Sequence, residues 1–148
     1  MKRIKLTNSN KVALIDDSDF ELVSQYNWHL HSCGTNSYAR TFSNGKKPLM
    51  HRLILGLGPN DKRQTDHINN NGLNNRQSNL RICTQQQNCF NRRKVKGYYF
   101  YRDKWLASIR FNDKFIYLGI FKTEQKAKQA RRKAEIKYFG EFAHGYTV

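Results

Sequence analysis

Acidic side chains are scarce in this chain: 11 Asp and Glu stand against 27 Lys and Arg, a net charge of +16 over 148 residues. Such an imbalance says little about fold but much about partners. A surface this positive attracts polyanions, of which nucleic acid is the commonest. Cysteine is nearly absent as well. Cys33, Cys83 and Cys89 are odd in number and form no CxxC pair, which argues against a disulfide scaffold or a structural zinc knuckle. Thiols of this kind read as small apolar fillers in a reducing, cytoplasmic setting. No apolar run approaches the roughly 18 residues of a membrane span, and no signal-peptide core follows the basic start. A membrane protein is not expected.

The charge is uneven. Residues 1–50 carry +3, residues 51–93 carry +5 and residues 94–148 carry +8, so the last third is expected to do most of the phosphate gripping. Residues 1–50 read as mostly strand. Ile4–Thr7 and Lys11–Asp16 flank an Asn8-Ser9-Asn10 turn, and Ser18 with Glu21 forms a capping box opening a short helix through Tyr26. Trp28–His31, Tyr38–Phe42 and Lys47–Met50 read as further strands, the last two joined through Asn44-Gly45. His29 and His31 share one strand face at a spacing that can bind metal. With no third ligand nearby, a solvated strand face is the simpler account.

Residues 51–93 are rich in Asn and Gln, with Ile68, Leu73, Leu80 and Ile82 spaced to anchor a compact, loop-rich unit. The pattern predicts a strand into Asp66-His67, a loop to Asn79, a strand over Leu80–Cys83 and a Thr84-capped helix to Asn91. Residues 94–148 predict three short strands, Gly97–Arg102, Trp105–Phe111 and Lys114–Gly119, by a period of two. A helix from Thr123 to Phe139 follows, stopped by Gly140. Ala127, Ala130, Ala134 and Tyr138 form its inward face. Lys126, Lys128, Arg131, Arg132, Lys133 and Lys137 mostly cover the solvated remainder. The fold class is therefore α+β.

Asp66, His67, Asn79 and Asn88 are the residues that carry chemistry. Phosphodiester hydrolysis needs a nucleophilic water, neutralisation of phosphate charge and help for the leaving oxygen. A neutral His can take the water's proton, and a divalent cation on hard oxygen ligands can neutralise the phosphate. Alternation sends Asp66 and His67 to opposite sides of a strand, so the loop must curl to use both. Asn79 could tie that loop shut, and Asn88 could close a metal site from the helix.

Met50-His51-Arg52-Leu53-Ile54, Asp66-His67-Ile68-Asn69, Asn74-Asn75-Arg76 and Ser78-Asn79-Leu80-Arg81 together resemble the HNH nucleases of phage type, in which a strand pair and a helix (ββα-metal) hold one metal ion. The resemblance implies that His67 is the general base and Asn79 a structural Asn of the catalytic site. Asp66 falls on the first metal ligand and Asn88 on the last, for Mg²⁺ with Mn²⁺ as a substitute. Asn stands at that last position instead of His, which leaves Asn91, one helical turn on, as a rival to Asn88. His51 is either a packing residue bonded to backbone or a partner of the metal loop.

Lys96-Gly97-Tyr98, Lys104-Trp105-Leu106-Ala107-Ser108-Ile109-Arg110, Tyr117-Leu118-Gly119-Ile120-Phe121 and Tyr138-Phe139-Gly140-Glu141-Phe142-Ala143 are similar to the AP2 domain, a three-stranded sheet on one helix. That family reads DNA with the outer sheet face, which here implies Tyr99, Tyr101, Ser108, Arg110, Phe115 and Tyr117, with Lys104 at the turn. Lys94 and Lys96, and Arg76 and Arg81 from the central segment, complete the expected DNA contacts. Arg110 can read a base or grip a phosphate.

The expected organisation is a strand-rich part over 1–50, an HNH core over 51–93 and an AP2-like domain over 94–148. The order is similar to homing-endonuclease-like proteins often encoded by phages, so a bacterial host cytoplasm is the expected location. The expected activity is metal-dependent nicking of double-stranded DNA by a monomer. The alternative is a non-catalytic DNA-binding regulator with a degenerate nuclease fold.

Overall fold

The computed structural model describes residues 1–43, 45–92 and 95–146. Asn44 of the expected turn and the expected DNA contact Lys94 lie outside the described residues. The chain divides into two compact units, Met1–Cys89 and Phe90–Val148.

In the first unit β1 (Lys2–Leu6) and β2 (Ser9–Ile15) form an antiparallel hairpin, as do β3 (His29–Cys33) and β4 (Asn36–Arg40). Alternation on β2 sends Ala13 and Ile15 inward, where they are fully buried with Leu6, Val23, Trp28, Ala39 and Met50. Trp28 resolves its polar edge locally, Nε1 donating to the Val23 carbonyl at 2.9 Å. The two hairpins are joined by Asn8, whose side chain mimics a strand: Oδ1 accepts from Leu30 N at 2.7 Å and Nδ2 donates to Leu30 O at 3.2 Å.

Two expectations for this region need correcting. Ser18 makes no cap. A 3-10 turn over Asp17–Asp19 precedes α1 (Phe20–Ser24), placing Ser18 inside the turn, so the extended residue before it is Asp16. Lys47–Met50 is not a strand either. Pro48 has no N–H to give a ladder, so only an isolated Arg40–Leu49 bridge forms, and Met50 opens α2 (Met50–Ile54).

The central segment pairs β5 (Gln64–His67) with β6 (Leu80–Cys83), Asp66 opposite Arg81 and His67 opposite Leu80, and continues into α3 (Gln85–Phe90). Thr84 and Gln87 cap α3 reciprocally: Gln87 N donates to Thr84 Oγ1 at 3.2 Å and Thr84 N to Gln87 Oε1 at 2.8 Å. Cys83 is buried and its thiol is pushed up to about 11, by burial first and then by Asp66, as befits a filler.

The second unit is a three-stranded antiparallel sheet, β7 (Tyr98–Tyr101), β8 (Lys104–Phe111) and β9 (Lys114–Phe121), with α4 (Glu124–Phe139) against it. Both connections are tight, with positive φ at Arg102-Asp103 and at Asn112-Asp113, the conformation of two-residue hairpin loops. Thr123 caps α4, accepting from Lys126 N, and Gly140 ends it at φ 55°. Ile109, Ala134, Phe139 and Ala143 form the core, and Phe90 stacks on Phe139 with centroids 3.9 Å apart.

Arg131, expected on the solvated helix face, is buried instead. Its Nη1 donates to the Ser108 carbonyl and its Nε to Glu135 Oε1 at 2.9 Å. Gly97 lies over the guanidinium with no room for a Cβ. Ser108 sits on the middle strand beside the register shift at Ala107/Ser108, opposite Tyr117 and on its face, and is 8% exposed. His144, expected in a frayed tail, has its carbonyl bonded by Arg132 Nη1 at 2.7 Å.

Candidate active site

β5 and β6 bring Asp66 and His67 to the mouth of a loop running to Asn79, and the loop is closed by its own amides. Ile68 N donates to the Asn79 carbonyl at 2.9 Å. The Asn79 side chain ties both arms: Oδ1 accepts from Asn69 N at 3.0 Å, and Nδ2 donates to Asn74 O at 2.7 Å. Asn70 takes φ 58°, a left-handed turn that asparagine tolerates, with its N–H on the His67 carbonyl.

The first hairpin braces the loop from beneath. Leu14 N donates to Leu73 O, and Asn75 N donates back to Leu14 O, both at 2.8 Å. Asp16 accepts from Arg76 Nε at 3.1 Å and from Gln77 N at 2.8 Å. The Gln77 bond and Arg76 outweigh desolvation and hold the Asp16 carboxyl below its ordinary value. Gly72 abuts the β4 backbone at Ser37 and the Tyr38 ring, where a Cβ would collide.

His67 and Asp66 are each 6% exposed. His67 Nε2 lies 3.1 Å from Asn75 Oδ1. The Asn75 amide nitrogen is directed to Met50 Sδ at 3.2 Å and Leu73 O at 3.4 Å, so the amide oxygen faces the imidazole. Nε2 therefore carries the proton, and Nδ1 is the basic nitrogen. Burial lowers the His67 pKa from 6.5, against the opposing pull of Asn75 and Asp66, so the ring is neutral at neutral pH and able to accept a proton. Asp66 is clasped by Arg81, whose Nε and Nη2 reach Oδ2 at 2.9 and 2.5 Å. Arg81, expected to contact DNA, is thus committed to Asp66, with its side chain 12% exposed. Arg76, expected to do the same, is held by Asp16 but keeps a side chain 43% exposed.

Three residues surround His67, and of these the sequence alone suggests a role only for His51. Asn75 is fully buried, yet nothing local distinguishes it from the neighbouring asparagines. Tyr38 and His51 lie with ring centroids 5.9 and 4.8 Å from that of His67. The simpler account of His51, bonded to backbone, fails at Nδ1, which is buried without a hydrogen-bond partner among the described residues. Burial first, then His67 and Arg52, push His51 from 6.5 to about 3. Between those values the unfolded chain takes up a proton that the folded chain refuses. Stability is therefore full above pH 6.5 and falls as pH drops toward 3, by on the order of 5 kcal/mol from this group. Urea midpoints at pH 7 and pH 4.5 should differ less for His51→Phe than for the parent. An equal acid loss in the two proteins would show that His51 is not its source.

Asn88 lies on α3, partly exposed, with its backbone N–H on Thr84 O at 3.0 Å. Asn91 lies in the second unit, 2% exposed, with Oδ1 3.3 Å from His144 Nδ1. Among the described residues no group of three or more His, Cys, Asp and Glu is placed to hold a metal. A donor set limited to the Asp66 carboxylate and an Asn88 amide suits a hard cation that keeps most of its waters, and offers no thiolate for zinc.

An alignment 34% identical over 145 residues, covering 88% of this chain and 72% of its relative, matches a protein of Acanthamoeba polyphaga mimivirus described as an uncharacterized HNH endonuclease. The chain belongs to the HNH endonuclease family. No family model matches it, and no solved structure does.

Proposed function

We propose that this protein is a metal-dependent endonuclease that nicks duplex DNA, with its second unit serving as an AP2-like DNA-binding module. The observation that carries the proposal is the setting of His67: a buried imidazole with Nε2 3.1 Å from Asn75 Oδ1, its pKa lowered by burial, next to Asp66. In that setting Nδ1 can take a proton from an attacking water, and the Asn75 bond steadies the imidazolium that results. Asn79 keeps the loop closed so that the base does not drift, since small misplacements cost large factors in rate. Asp66 and Asn88 would hold Mg²⁺, or Mn²⁺ in its place, which supplies charge neutralisation on the phosphate and the departing 3′ oxygen.

The second unit supports DNA contact through its outer face. Tyr99, Tyr101, Phe115 and Tyr117 are 51%, 49%, 68% and 55% exposed. Lys96, Lys104 and Arg110 are exposed as well. Ser108, paired with Tyr117, lies low on the same face. A regulator with a dead nuclease fold would have no need of a neutral, tautomer-fixed imidazole next to a carboxylate.

Supercoiled plasmid incubated with the protein and Mg²⁺ should convert to the nicked circle well before linear product appears. Linear product formed directly at low enzyme would replace nicking by paired-strand cleavage. No conversion in Mg²⁺ or Mn²⁺ would favour the regulator.

A further inference from the structure

We propose, building on the endonuclease function above, that the outer face of the β3–β4 hairpin is a track for one DNA strand leading to His67, with Phe42 stacking on a base. Strand alternation defines the face. Ala39 and Thr41 are 1% and 2% exposed and enter the core, so Tyr38, Arg40 and Phe42 lie on the opposite face, Phe42 exposed and the other two half-buried. His31 lies opposite Tyr38 and His29 opposite Arg40, which puts both histidines on the same face. The histidine pair noted in the sequence thus belongs to a row of polar and aromatic side chains, not to a metal site.

One end of the row is at the candidate active site, where the Tyr38 ring lies 5.6 Å from His51 and 5.9 Å from His67 between centroids. The other end is Phe42, 56% exposed. The Arg40 guanidinium is 5.3 Å and the Lys47 ammonium 5.5 Å from its ring centroid, with the His29 ring edge-on at 5.7 Å. An exposed aromatic flanked by cations is the arrangement that binds a nucleic-acid strand: the ring takes a base and the cations take phosphates.

Charge favours the same occupant. No Asp or Glu occurs between Glu21 and Asp61. Neither Arg40 nor Lys47 forms an ion pair among the described residues, and Arg40 Nε has no hydrogen-bond partner there. Arg81 and Arg131 are committed to hydrogen bonds within the fold, whereas Arg40 is half-buried against Phe42 with no ion pair among the described residues. From Tyr38 to Phe42 the track spans about 13 Å at strand rise, room for three or four nucleotides stacked at about 3.4 Å.

Binding of a fluorescein-labelled duplex oligonucleotide to the full chain, with Ca²⁺ replacing Mg²⁺, tests the track. Arg40→Ala should weaken binding and flatten the slope of log affinity against log salt by about 0.9. Phe42→Ala should weaken binding by about tenfold with the slope unchanged, and Phe42→Trp should restore it, because stacking rather than charge is lost. Both side chains point away from the core, so thermal midpoints should stay at the parental value. Parental affinity and slope in Arg40→Ala and Phe42→Ala would overturn the track even if the parent nicks plasmid. If instead the parent never nicks but both variants lose affinity as stated, the track stands and the nuclease function falls.

Discussion

His67→Ala should lose nicking activity by about 10²–10⁴-fold while DNA affinity stays near the parental value. The loss follows from the position of the ring. His67 is buried and hydrogen-bonded through Nε2 to Asn75, so as the proposed base it would accept the proton at Nδ1. An alanine leaves the loop in place, because Asn79 and the Leu14 pairings close it without His67. Nicking rates under enzyme excess would report the chemical step, and fluorescence anisotropy the binding. A variant that nicks within a few-fold of the parent would remove His67 from the role of base. Restored turnover with added imidazole would strengthen the assignment.

Substitution of Asp66 should be nearly as damaging, and for two separable reasons. Asp66→Asn keeps the shape but removes the anionic donor, so Mg²⁺-dependent nicking should vanish at any metal concentration that serves the parent. Asp66→Ala should in addition destabilise the fold, because Arg81 is left as a charge with its side chain only 12% exposed and no counter-ion from Asp66. Removing one member of a buried pair typically costs about 3–5 kcal/mol. Urea denaturation compares the two variants, and chelation tests the parent. Nicking that survives excess chelator would end the assignment of Asp66 as a metal ligand, as would activity that Zn²⁺ alone restores.

What could be seen in the sequence was whatever had a short-range cause. The Asn112-Asp113 turn, the period-two strands of the second unit and the Thr123 and Gly140 ends of its helix are local, and they lie where the residues placed them. The expected Asn8-Ser9-Asn10 turn, in contrast, sits earlier because β2 begins at Ser9. The alternation of Asp66 and His67 and the loop-tying geometry of Asn79 were also readable, because a ladder and a closed loop constrain them directly. Partners contributed from far away were not readable. Nothing near Arg81 announces that its counter-ion is across a strand pair, and Asn75 gains its meaning only once Met50 and Leu73 fix its amide. Arg131 shows the same limit. Its helix position suggests solvent, and only the bare backbone of Gly97 and the Ser108 carbonyl make a buried site for it.

The bonds from the first hairpin to the loop make the loop depend on distant residues. Leu14 pairs with Leu73 and Asn75, and Asp16 with Arg76 and Gln77, at separations near 60 positions. Closing so long a stretch of chain is an entropic cost that must be met before these contacts return anything. An isolated two-stranded hairpin is marginally stable in water, so the hairpin and the loop it holds depend on each other. A peptide confined to residues 51–93 would contain Asp66, His67, Asn79 and Asn88 and yet leave Asn75 without the Leu14 carbonyl that positions its backbone. Residues 51–93 alone therefore lack part of the scaffold that holds their loop, which residues 1–50 supply.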